Sequence, residues 1–90
     1  QQMSYQMISE SIAVNNSTAT KIIDSVNFHQ QVYIHNEHGS SIYLGGSNVT
    51  TSTGFELANN ASTTMRIPQD NELYCIGSSA TGNVIVVRPD

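Results

Sequence analysis

Apolar side chains recur along this chain at every second residue or in short runs, and clusters of Asn, Gly, Ser and Thr separate the runs. A period of two is that of a strand with one covered face, and nowhere does the pattern hold a helical period for three turns. Strands are therefore expected at Glu10–Val14, Thr18–Asp24, Gln31–Asn36, Ser41–Leu44, Phe55–Ala58, Ser62–Ile67, Glu72–Ile76 and Asn83–Arg88, with helices absent or very short. About eight short strands predict an all-β fold, a single small antiparallel β-sandwich or barrel.

The alternation also assigns faces. Val32 and Ile34 share one side of their strand and Tyr33 and His35 the other; Ile42 pairs with Leu44 in the same way. Val84 and Val86 oppose Ile85 and Val87, so the last strand is apolar on both sides and is expected to be central or covered. Between strands, Asn15–Asn16–Ser17 reads as a tight turn using the positive φ that Asn tolerates, and Glu37–His38–Gly39–Ser40 as a hairpin with Gly39 left-handed. Pro68–Gln69–Asp70–Asn71 and Ala80–Thr81–Gly82–Asn83 complete the turns.

The first eight residues differ in kind. Met3, Tyr5 and Met7 alternate with Gln2, Ser4 and Gln6 ahead of the first well-bounded strand. Residues 1–8 are read as an extended N-terminal arm and residues 9–90 as the domain. Such an arm is useful if it adds to a sheet edge, its own or a neighbour's; the plainer alternative is one more internal strand.

Composition narrows the function. The chain has 90 residues, 38% hydrophobic and 11% charged, with a formal net charge of −4. A domain of this size buries only about 60% of the surface its unfolded chain exposes, so association is the simplest supplement to its stability. Lys21, Arg66 and Arg88 are its only basic residues besides histidine and are scattered, which argues against a nucleic-acid partner. No apolar run reaches the roughly 20 residues needed to span a bilayer, and the start lacks the basic and apolar regions of a signal peptide. Cys75, in the apolar run Leu73–Ile76, reads as a small buried hydrophobe, and one cysteine cannot form an internal disulfide.

Candidate chemistry is sparse. His29, His35 and His38, with Glu37 among them, lack the spacing that aims imidazoles at one metal, and solvent-exposed or hairpin-flanking histidines are the expectation. No Gly-x-Ser-x-Gly elbow accompanies the many serines. Gly45–Gly46–Ser47 follows a strand, but no helix follows to hold a phosphate. Glu10, Asp24, Glu37, Glu56, Asp70, Glu72 and Asp90 are dispersed, and sequons at Asn15, Asn16, Asn48 and Asn60 read as turn residues. The expectation is a non-enzyme without cofactor or metal.

One stretch is distinctive: Ile42–Tyr43–Leu44–Gly45–Gly46–Ser47–Asn48–Val49–Thr50–Thr51–Ser52–Thr53–Gly54–Phe55–Glu56–Leu57. With Thr18–Ala19–Thr20, Val32–Tyr33–Ile34–His35–Asn36, Leu73–Tyr74–Cys75–Ile76 and Val84–Ile85–Val86–Val87 in order around it, it resembles small virion structural proteins of tailed bacteriophages, from about Glu10 to the C-terminus. The arm before Glu10 has no match in that pattern. The resemblance implies a β-sandwich or barrel in the virion, first of all a capsid decoration or cement protein. Such a protein is made in the bacterial host cytoplasm, binds the outer capsid surface and stabilises capsomer junctions. It further implies a homotrimer whose partners are the major capsid protein and other virion proteins, without nucleic acid or membrane. On this reading Met3, Tyr5 and Met7 are the capsid contact. Gly45, Gly46, Ser47, Thr50, Thr51 and Gly54 form a motif loop, whose Gly residues permit sharp bends and whose hydroxyls satisfy one another or a neighbouring chain. The alternative is a neck, tail or fibre module for adhesion or carbohydrate binding, with Tyr33, Tyr43 or Tyr74 stacking on sugar.

Overall fold

Each expected run of alternating residues forms a strand in the computed structural model, which describes residues 6–89. The strands are β1 (Met7–Asn15), β2 (Thr20–Ile23), β3 (Gln30–Glu37), β4 (Ile42–Gly45), β5 (Phe55–Leu57), β6 (Ser62–Ile67), β7 (Leu73–Gly77) and β8 (Thr81–Pro89). Among the described residues there is no helix. β1 begins at Met7 rather than Glu10, so Met7 and Ile8, read from sequence as part of the arm, pair with Pro89 and Arg88. β8 likewise starts two residues early, at Thr81, and the preceding bend is Ser78–Ala80.

Two four-stranded antiparallel sheets result, ordered β1-β8-β3-β6 and β2-β7-β4-β5. The pairings nest: β1 with β8, β2 with β7, β3 with β6 and β4 with β5. A chain folded double and then rolled up in this way is an eight-stranded jelly roll, one form of sandwich that all-β proteins use. Only β4 and β5 are sequential neighbours within one sheet.

That topology corrects two turn expectations. Glu37–Ser40 does not close a hairpin: β3 and β4 lie in different sheets, and the segment crosses between them. Gly39 does take a positive φ, 98°. Asn15–Ser17 also crosses between sheets, and Asn15 keeps a negative φ; its Oδ1 instead accepts hydrogen bonds from the Ser17 and Thr18 amides at 2.9 Å each. At Pro68–Asn71, Asp70 supplies the left-handed residue with φ 65°.

The core lies between the sheets. Val14, Val32, Ile34, Ile67, Val84 and Val86 face Ile22, Ile23, Ile42, Leu44, Leu57, Leu73 and Cys75. Full burial of each large aliphatic side chain contributes about 1.5–3 kcal/mol before entropy is charged against it. β8 is central, as its two-sided apolar character predicts: Val84 and Val86 are fully buried, while Ile85 and Val87 are half-buried on the outer face. In β2 the register runs Lys21 opposite Tyr74 and then Ile23 opposite Leu73. Ile22 is the extra residue of a bulge, and both isoleucines are buried.

Candidate functional site

The Gly/Thr-rich segment from Gly45 to Gly54 folds back over the outer side of its sheet and is held by its own atoms. Val49, the one large apolar residue in it, is buried. A Cβ on Gly45 would lie 2.8 Å from Val49 Cγ2, and one on Gly54 would lie 2.6 Å from Tyr43 Cβ and 2.7 Å from Val49 Cγ2. Both glycines are therefore required by close approach, not by a positive φ. Gly46 meets nothing nearer than Asn48 Oδ1 at 3.6 Å and has no such requirement. The hydroxyls satisfy the loop internally. The Val49 amide donates to the Gly46 carbonyl (3.0 Å), Thr53 and Gly54 donate to the Thr50 carbonyl (3.2 and 3.0 Å), and the Thr50 amide donates to Thr53 Oγ1 (3.1 Å). The Ser52 amide reaches Thr50 Oγ1 at 3.2 Å. Ser47, Thr50 and Thr51 are exposed.

A second cluster was not anticipated from sequence. His38 is buried rather than exposed, wedged where a side chain on Gly77 or Gly82 would stand. Its Nε2 donates to the Val14 carbonyl at 2.8 Å, and its Nδ1 lies 3.2 Å from Ser40 Oγ. Asn36 is fully buried: its Nδ2 donates to the Ser40 and Leu57 carbonyls (2.8 and 2.9 Å), and its Oδ1 accepts from the His38 amide (2.7 Å). Together these side chains lock the β3–β4 crossing onto β1 and β5. The available signal was Asn36 itself, a polar residue on the same strand face as Val32 and Ile34.

His29 is exposed and accepts the Gln69 amide at Nδ1 (3.2 Å), joining the loop after β2 to the turn before β7. His35 stands on the outer face of the first sheet, 2.6 Å from Ser62 Oγ through Nδ1 and 3.9 Å from Glu37 through Nε2. The trio has the membership of a Ser-His-acid set, but it lies on a flat sheet face with the glutamate beyond hydrogen-bond reach. Among the described residues no three His, Cys, Asp or Glu side chains converge as metal ligands.

Beside that trio runs a shallow groove of about 560 Å³, with Tyr33, Ile85 and Val87 as its apolar part and Ser62, Thr64 and His35 along its polar side. Tyr33 is 46% exposed, whereas Tyr43 and Tyr74 are half-buried. Tyr74 donates its hydroxyl to Glu72 Oε1 at 3.2 Å, which raises the phenol above its ordinary acidity range.

The acids are not all solitary. Asp24 and Glu72 both approach Lys21 Nζ, at 2.6 and 3.6 Å. The Lys21 hydrogen bond and charge hold the Asp24 carboxyl below its usual range, and Asp24 holds the ammonium above its own. Arg88 donates from Nε and Nη2 to Glu10 Oε1 at 3.3 and 3.2 Å. Cys75 is fully buried, and burial pushes its thiol up to about 12.

Of the proposed arm contacts, Met3 and Tyr5 lie outside the described residues. Met7 is 56% exposed at the first position of β1. Phe55, at the first position of β5, and Phe28, in the loop between β2 and β3, are the other two large exposed apolar residues at that end of the sandwich. The strand directions put all three at the same end, with Met7 opposite the end of β8 and Phe55 opposite the end of β4, although β1 and β5 are edge strands on opposite sides of the sandwich.

No protein-family profile and no curated protein matches this chain. Among solved structures it is similar to a protein of Bacillus endospore appendages, described as forming a novel family of disulfide-linked pili. The superposition has a TM-score of 0.55 at 15% identity, over 97% of this chain and 89% of that one. The likeness is one of fold. The buried Cys75, the single cysteine of this sequence, offers no accessible thiol for the disulfide linkage named for that family.

Proposed function

We propose that this chain is a structural subunit on the outside of a bacteriophage particle, a decoration or cement protein that binds the major capsid protein and bridges capsomer junctions. The observation that carries the reading is that Met7, Phe28 and Phe55, three of the four large exposed apolar side chains among the described residues, all stand at the end of the sandwich where β1 begins. An end that concentrates exposed apolar groups is a candidate contact surface. Two further observations support it. The Gly45–Gly54 loop is held in shape by its own hydrogen bonds and offers its exposed hydroxyls to a neighbour, and jelly rolls serve as capsid domains elsewhere, an argument from fold analogy only. Three copies around a lattice junction would multiply a weak anchor into firm binding.

The test is occupancy on purified particles. Deleting residues 1–6, which leaves β1 whole, and replacing Met7, Phe28 and Phe55 by Ser should each leave a folded protein that decorates capsids poorly. Full occupancy by both variants rejects the anchor. Imaging that finds the protein away from the capsid rejects the location.

A second reading, a carbohydrate-binding module of neck, tail or fibre, is favoured by one observation, the exposed Tyr33 ring in its groove.

A further inference from the structure

The register of the first sheet arranges the outer face as a grid. Tyr33 stands between Val87 and Thr64, and His35 between Ile85 and Ser62. Strands about 4.8 Å apart, with same-face residues roughly 7 Å apart along each, give these six side chains a footprint of roughly 10 by 7 Å. One side of the grid is aliphatic, the middle holds the Tyr33 ring and an imidazole, and the far side carries hydroxyls. No Lys, Arg, Asp or Glu lines the groove.

We propose that this grid is a saccharide-binding site for a neutral oligosaccharide, one or two pyranose units of which lie across β8, β3 and β6. The inference rests on the second reading above and names its site and ligand class. A pyranose has one face of C–H groups and a rim of hydroxyls. The C–H face stacks on Tyr33 and the Ile85–Val87 strip, and the rim meets Ser62, Thr64 and the His35 ring. The 2.6 Å contact between His35 Nδ1 and Ser62 Oγ fixes both groups before any ligand arrives, which lowers the ordering cost of binding. Charge narrows the ligand class: the lining carries no Lys or Arg to offset the desolvation of an acidic sugar or a phosphate, and Glu37, 3.9 Å from the His35 ring at the margin, repels an anion. The footprint matches one or two sugar rings, whereas a stable protein interface of about 800 Å² per partner would have to extend well beyond it.

The experiment titrates the full chain with maltoheptaose, cellohexaose, N-acetylglucosamine oligomers and galactose-terminated oligosaccharides, following amide shifts by NMR and affinity by calorimetry. At least one probe should bind, with shifts confined to β3, β6 and β8. Tyr33→Ala should weaken it tenfold or more, and Thr64→Arg, which fills the groove from an edge strand, should do the same in a folded protein; Tyr74→Ala should bind as the parent does. Binding that survives both Tyr33→Ala and Thr64→Arg overturns the site while leaving the carbohydrate reading in place. Absence of binding to every probe at millimolar concentration overturns both. A self-association abolished by Tyr33→Ala, seen in sedimentation, shows the face to be a subunit contact and also overturns the site.

Discussion

Val49 occupies the space that a side chain on Gly54 would need: a Cβ there would sit 2.7 Å from Val49 Cγ2 and 2.6 Å from Tyr43 Cβ. The neighbouring atoms belong to a buried side chain and to the root of a strand residue, so neither can swing away. Gly54→Ala should therefore destabilise the domain by about 1–3 kcal/mol, the range for overpacking. Gly46→Ala, whose new methyl makes only an ordinary contact, should change stability by less than about 0.5 kcal/mol. Urea unfolding of the two variants side by side measures the contrast, and equal losses would show that the loop glycines are needed for some other reason.

Asn36 satisfies two carbonyls and one amide inside the molecule. Asn36→Ala removes all three bonds and leaves the Leu57 carbonyl and the His38 amide buried without them, each orphan costing about 1–3 kcal/mol, besides the part-buried Ser40 carbonyl. A loss of about 3 kcal/mol or more is expected in chemical denaturation. A loss under 1 kcal/mol would mean that water or a shifted loop replaces the amide.

Cys75 should resist thiol reagents. Its thiol is shifted from an ordinary 9.0 to about 12, chiefly by burial. A disulfide-exchange reagent at pH 8 should label it only when denaturant opens the core. The same shift has a sign for stability. The unfolded thiol gives up its proton near 9 while the folded one keeps it, so the native state binds more protons in that interval and stability falls as pH climbs from about 9 toward 12. Cys75→Ala should flatten that part of the alkaline limb, which thermal melts across the range will show.

The Lys21–Asp24 pair predicts a shallow plateau. Asp24 is depressed below 3.8 by Lys21, so its contribution is present above that value and lost as pH falls through its lower folded one. Lys21 is raised above 10.5 by Asp24, so its contribution is present below that value and lost as pH rises through its higher folded one. Both groups are solvent-exposed, which keeps the effect small. The melting temperature of Lys21→Met should lie slightly below that of the parent between the two limits and converge with it outside them.

The strands were legible because alternation registers directly which face is covered, as at Val32, Ile34, Val84 and Val86. Their connections were less so. Gly39 announces a reversal of the chain, but nothing local tells whether the next strand returns beside β3 or crosses to the opposite layer. That choice is made by Asn36 and His38 binding atoms 20 or more residues away, and such long-range partners leave no trace in a local pattern. In the motif loop, the hydroxyls' mutual satisfaction was readable from composition, whereas the need for Gly45 and Gly54 was not, because it arises from where Val49 lands. The groove on the outer face was half visible: Tyr33 and His35 share a face in the sequence, but their alignment with Ile85, Val87, Ser62 and Thr64 depends on register.

The pairing of β1 with β8 has a consequence for how the molecule is made. β8, the last of the eight strands in chain order, is an interior strand of its sheet, between β1 and β3. Until it emerges, the segments on either side of it have no shared neighbour, and a chain stopped short of Thr81 lacks the piece that joins them. Folding of the domain must wait for β8 and then close most of its contacts over a long span of sequence, a route that is slow for its size. Chains truncated before Thr81 should be cleared by proteases instead of accumulating as folded protein.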